Sequence, residues 1–261
     1  MTRQFASFGC EGATLCGTLD LADNPTGLLF ISGGNEIRTG PWSSQSLLAA
    51  RIAAEGFPVF RFDRRGVGDS DGPNGGFRAS APDIAAAIAA FRSQVPALKR
   101  VIAYGNCDGA SALMLAGGEG CDGLVLSNPW TIDEASGQAA VAPPPEMVRA
   151  HYAQRLKNPR ALLRLLRGQV SLRQLFASLR DAARAPAPPS SLAQELTSGL
   201  AAFSGLVTIL LAERDRTAQT FSAHWDKADP RLRTCPNATH SFVEPHARIW
   251  LLGQLLAALR A

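Results

Sequence analysis

Three side chains stand out for what they could do together: a cysteine, an aspartate and a histidine, each in its own loop. Cys107 is the centre of Gly105-Asn106-Cys107-Asp108-Gly109, between the apolar run Val101-Ile102-Ala103-Tyr104 and a helical pattern from Ala110 to Ala116. Gly-x-nucleophile-x-Gly between a strand and a helix is a sharp turn that presents its central side chain. The glycines leave room where the backbones cross. A cysteine so placed needs a base to take its proton and an acid to orient that base. His240, in Pro236-Asn237-Ala238-Thr239-His240 ahead of the last helical pattern, suits the base. Asp215 suits the acid, because Ala212-Glu213-Arg214-Asp215 directly follows the apolar run Leu206–Leu211. Glu213 is the rival acid but lies closer to the buried strand. Asp215 also has a plain alternative, as the cap of the next helix or a partner of Arg214 or Arg216. His224 and His246 fall in helical patterns and His151 in the middle stretch, so each reads as a surface or packing residue.

Acyl chemistry by such a trio also needs donors for a developing oxyanion, usually backbone amides. The amide of Asp108, next to the nucleophile, is one. The second is expected from Gly33-Gly34-Asn35, where glycine permits close approach; either the Gly34 or the Asn35 amide fits, and a simple turn is the alternative. Asp63-Arg64-Arg65-Gly66-Val67-Gly68-Asp69-Ser70 looks chemical, but it lacks the lysine and full spacing of a phosphate loop. It reads as a structural loop of ion pairs.

These residues need elements to carry them. Residues 4–20 read as a hairpin turning near Glu11-Gly12. Strands are expected at Thr26–Ser32, Pro58–Asp63, Val101–Tyr104, Gly123–Ser127, Leu206–Leu211 and Arg231–Cys235. Helices are expected at Trp42–Glu55, Pro82–Phe91, Thr217–Lys227 and Ile249–Leu259. Such alternation gives an α/β fold, a mostly parallel central sheet flanked by helices. It breaks after the strand ending near Ser127. From 131 to 204 there are only helical patterns, such as Leu172, Leu175, Phe176 and Leu179, and proline clusters at Pro143–Pro145 and Pro186–Pro189. This stretch is read as a helical cap inserted into a core formed by residues 1–130 and 205–261.

Charge sharpens that division. The chain of 261 residues carries a net charge of +4, and residues 131–204 hold nine Lys and Arg against five Asp and Glu. The remainder holds 17 of each, so the excess belongs entirely to the cap. Arg160, Arg164 and Arg167 lie at i, i+4 and i+7 and could offer one basic face to an anionic substrate, or form a solvated face over a leucine stripe. Two tyrosines and no basic–aromatic interleaving argue against nucleic acid. No apolar run approaches a membrane span, and the opening residues show no apolar signal region, so the cytoplasm is the expected compartment. Five cysteines, odd in number and without zinc spacing, imply reduced thiols and no metal, although Cys10 and Cys16 could face each other across the hairpin. No cofactor is expected.

The chain resembles the α/β-hydrolase superfamily over nearly its whole length. Phe60-Arg-Phe-Asp-Arg-Arg-Gly-Val-Gly-Asp-Ser70 is typical of its strand and loop before the nucleophile. Three further stretches are similar to the exosortase A system-associated hydrolases of the first type: Gly105–Ala112, Arg214–Phe221, and Gly33-Gly34 with Arg38-Thr39-Gly40. Those occur beside exopolysaccharide and protein-sorting genes in Gram-negative bacteria. Dienelactone hydrolase and polyhydroxyalkanoate synthases likewise place cysteine at this turn. The resemblance implies a Cys107–Asp215–His240 acyl hydrolase acting on an ester or a carrier-bound thioester. An acyltransferase with a sugar or protein acceptor is one alternative, and a non-catalytic binding protein that kept the fold is another.

Overall fold

The computed structural model describes residues 2–132 and 190–261. It opens with strands β1 (Arg3–Cys10) and β2 (Ala13–Asp20), antiparallel and joined by the two-residue turn Glu11-Gly12, both with positive φ. That geometry follows the right-handed twist of the flanking strands. Cys10 pairs with Ala13 and Cys16 with Ser7, so the two cysteines are not opposite one another, and all five thiols are free. The following strands are β3 (Thr26–Ile31), β4 (Val59–Phe62), β5 (Arg100–Asn106), β6 (Gly123–Ser127), β7 (Leu206–Ala212) and β8 (Leu232–Cys235). The sheet order is β1-β2-β4-β3-β5-β6-β7-β8, parallel from β4 onwards.

The helices are α1 (Ser44–Ala54), α2 (Ala81–Gln94), α3 (Asp108–Leu115), α4 (Ser191–Ala201), α5 (Arg216–Ala223) and α6 (Pro245–Arg260). The sheet separates two apolar layers, and side chains alternate between them with the period of a strand. Leu29 and Ile31 of β3 point to the layer of α2, α3, α4 and α5, whereas Leu28 and Phe30 point to that of α1 and α6. Both faces are covered, which is why β3, β4 and β6 are buried along their whole length, β4 with Arg61 among its apolar residues. Each fully buried leucine, isoleucine or phenylalanine contributes about 1.5–3 kcal/mol.

Several helix boundaries differ from those expected: α2 runs on to Gln94 rather than Phe91, and α6 begins at Pro245 rather than Ile249. Trp42 and Ser43 take left-handed backbone angles after Pro41, so α1 begins at Ser44 rather than Trp42. α5 ends at Ala223, not Lys227, where Trp225 stacks on Phe221 and donates to Asp229.

Most of the expected cap lies outside the described residues, including Arg160, Arg164, Arg167, His151, the helical pattern at 172–179 and both proline clusters. The described ends of the excursion meet. Ser190 Oγ donates to the Thr131 carbonyl at 2.7 Å and accepts from the Ala193 amide at 3.0 Å, capping α4. α4 itself buries Leu192, Leu196 and Leu200 in the layer of α2 and α3. Gly199 lets it approach the α3 backbone, since a Cβ there would lie 2.2 Å from the Met114 carbonyl oxygen.

Candidate active site

The parallel strands bring four loops to one edge of the sheet. β3 leads to Gly33-Gly34, β5 to Cys107, β7 to Asp215 and β8 to His240. Cys107 adopts φ 58° and ψ −128°, a conformation that a residue with a side chain rarely holds unless its surroundings enforce it. Here they do. Its amide donates to the Ser127 carbonyl at 3.0 Å, and its own carbonyl accepts from Ala110 at 3.1 Å and Trp130 at 3.3 Å. The flanking glycines are sterically required, because a Cβ on Gly105 would lie 2.5 Å from the Gly109 carbonyl and one on Gly109 2.5 Å from Ile31 O.

Asp215 N-caps α5, its Oδ2 accepting the Ala218 amide at 2.9 Å. The same oxygen meets His240 Nδ1 at 3.0 Å, with the carboxylate nearly buried and the imidazole about one-third exposed. The capping reading and the acid reading therefore describe one side chain. The Cys107 side chain also acts on the His240 ring and favours its charged form. The bond to Asp215, and next the effect of Cys107, hold the imidazole up to about 10 against the opposing effect of burial. Burial pushes the thiols of Cys10, Cys16 and Cys235 up, and that of Cys121 to about 12, so those four stay protonated.

The rival residues are engaged elsewhere. Exposed Glu213 accepts the Asn237 amide at 2.7 Å, His246 Nε2 meets the Pro236 carbonyl at 2.9 Å, and His224 closes α5 beside a cavity of about 260 Å³.

The Gly33-Gly34 loop is strapped to the nucleophile turn. A Cβ on Gly33 would meet Asn106 O at 2.7 Å and Cys107 Cβ at 3.3 Å. The Gly34 amide donates to the Asp108 carboxylate, and its carbonyl accepts from Arg64. Arg64 also donates to Ser80 Oγ at 2.9 Å and lies 3.9 Å from Asp108 Oδ2. Asn35 holds Asn74 through its side-chain oxygen at 2.8 Å. Arg64 belongs to the structural loop after β4, and its contacts set the geometry of this edge. Glu36 was not singled out. Burial pushes its carboxyl up, and His240, Asp108 and Arg64 all act on it electrostatically. Among the described residues no group of three or more His, Cys, Asp or Glu could hold a metal, and no helix is long and apolar enough to cross a membrane.

A strand-order eight-strand sheet with a strained turn after β5 and an acid–histidine pair after β7 and β8 defines a class of proteins. The sequence matches the model of the alpha/beta hydrolase family over residues 28–250, and the chain belongs to that family. Solved structures agree on the fold. The alpha/beta hydrolase GrgF from Penicillium sp. sh18 superposes with a TM-score of 0.63 at 16% identity, covering 100% of this chain and 98% of that one. The Pyrococcus furiosus esterase Pf2001 gives 0.64 at 13% identity, covering 99% and 90%. XC6422 from Xanthomonas campestris, a serine hydrolase without a lid, gives 0.57 at 16% identity, covering 99% and 94%. A comparison with curated proteins returned no match.

Proposed function

We propose that this protein is an acyl hydrolase that cleaves carboxylic esters or thioesters through Cys107, His240 and Asp215, with a thioester intermediate. One observation carries the reading. His240 meets Asp215 at 3.0 Å, and the Cys107 side chain that acts on its ring sits at φ 58° on a turn that nothing but its neighbours would hold.

The sulfur reacts as a thiolate balanced by the His240 imidazolium. It attacks the substrate carbonyl carbon, a C–S bond forms, and the carbonyl π pair moves onto oxygen. Collapse expels the alcohol or thiol, which takes its proton from His240. Neutral His240 then removes a proton from water, hydroxide attacks the thioester, and the Cys107 thiolate leaves. A thiolate is both nucleophile and leaving group, which suits thioesters and activated esters better than amides. For the oxyanion, the Asp108 amide at the start of α3 is one donor. The Asn35 amide is favoured over that of Gly34, whose N–H is already taken by the Asp108 carboxylate. The substrate is a small acyl compound or a carrier-bound thioester. The resemblance to the exosortase A system-associated hydrolases supports an exopolysaccharide-related setting in the cytoplasm.

The test is a panel of short activated esters and acyl thioesters, followed by turnover and intact mass, with Cys107→Ser and His240→Ala alongside. Turnover with a transient adduct on Cys107, absent from both variants, is expected. A lasting adduct without turnover would instead indicate an acyltransferase lacking its acceptor. No adduct in the wild type would sink both and leave a binding protein.

A further inference from the structure

Asn128, the residue after β6, is fully buried and has φ 45°, a conformation asparagine tolerates better than most residues. Its backbone amide donates to Leu210 O at 2.9 Å. Its side chain is more unusual, because it reaches all three loops of the triad. Nδ2 donates to the His240 carbonyl at 2.9 Å and to Asn106 Oδ1 at 3.0 Å. Oδ1 accepts the Ala212 amide at 2.8 Å. Asn106 immediately precedes Cys107. The carbonyl of Ala212 accepts the Asp215 amide at 3.0 Å, so the Ala212 backbone anchors the acid turn. Asn106 Nδ2 adds a long contact of 3.5 Å to the same His240 carbonyl.

Two donors and one acceptor on a short planar group are what this position uses, and among common side chains asparagine supplies them at this reach. An aspartate would present oxygen to the His240 carbonyl. A glycine would suit the backbone but leave three buried polar groups without their partner. We propose that Asn128 is a positioning residue for the reaction. By fixing the His240 carbonyl against the nucleophile and acid turns, it sets where the imidazole stands, with Nδ1 on Asp215. The inference rests on the triad reading above.

The experiment compares Asn128→Gly and Asn128→Asp with wild type, reading kcat and KM on the best ester, the His240 titration by NMR, and the urea midpoint. Asn128→Gly relieves the backbone and removes every side-chain bond, whereas Asn128→Asp keeps the shape and the acceptor for Ala212. The expected result is folded variants whose kcat falls by about 10²-fold with KM within about threefold, as misplacement of a catalytic group gives. Their His240 titration should move down from about 10 towards the ordinary histidine value. An unchanged titration in either folded variant would overturn the proposal, whatever the rate. So would failure of both variants to fold, which would make Asn128 structural. Failure of the triad reading would show separately, as activity retained in Cys107→Ala, whereas an unchanged His240 titration in the Asn128 variants would count against Asn128 alone.

Discussion

Sulfur at position 107 changes what is asked of His240. Beside an uncharged hydroxyl, the imidazole of a triad begins neutral and takes a proton; here Asp215 and Cys107 hold it up to about 10, and in the proposed mechanism it begins as a cation. In the proposed mechanism, acylation removes the Cys107 contribution, and the imidazole shifts down towards the range of a general base. Two pH effects follow. Acylation persists at low pH while deacylation slows, so acyl-Cys107 should accumulate at pH 5 and clear at pH 8 by intact mass; equal clearance at both would contradict the scheme. The sign for stability runs the other way. A raised histidine stabilises the fold fully below the unfolded value of 6.5, and the contribution is lost as pH climbs through about 10. Removing the cation should also slow the thiol. His240→Ala is expected to reduce Cys107 carbamidomethylation at pH 6.5 by about tenfold or more, since the neighbouring cation favours the thiolate; an unaltered rate would show that the imidazolium does not act on the sulfur.

At the scale of elements, the turn from β5 into α3 and the loop after β3 form a single packed unit. A methyl group on Gly109 would lie 2.5 Å from Ile31 O, backbone against backbone with no flexible side chain to yield. Gly109→Ala should therefore cost about 1–3 kcal/mol or more in urea unfolding, and displace the turn; a loss within 0.5 kcal/mol, about that of an ordinary surface change, would refute the contact. Much of this architecture was legible beforehand, for reasons that can be named. β3, β5 and β6 are covered on both faces, so they announce themselves as apolar runs, and Glu11-Gly12 marks its hairpin by turn chemistry. Cys107, Asp215 and His240 stood out because each follows such a run. Asn128 did not stand out, because nothing local to Asn128-Pro129-Trp130 says that its amide will meet residues 22, 84 and 112 positions away. Nor does sequence show that Asp108 will turn back onto Gly34, or that Pro41 will throw Trp42 into a left-handed turn that delays α1.

On the scale of the molecule, the antiparallel hairpin is bound to the parallel sheet partly through buried charge. Asp20 is fully buried between Arg3 Nε, at 2.6 Å, and Arg61 Nη2, at 3.3 Å, and Arg61 itself is 1% exposed. Arg61 also donates to the Arg38 carbonyl at 2.6 Å. Burial lowers the Arg61 guanidinium and Asp20 opposes that shift. Asp20→Ala should therefore leave a cation stranded in the interior and cost about 3–5 kcal/mol in denaturant unfolding; a loss below about 1 kcal/mol would mean the charge has found water. Elsewhere the chain is more permissive. The contact of Ser190 with Thr131 brings together the two points between which residues 132–189 run, and no loop carrying Cys107, Asp215 or His240 lies within that interval. Residues 132–189 thus leave and rejoin the described core at neighbouring points. A change of sequence or length between those points leaves every loop that carries Cys107, Asp215 or His240 as it is written.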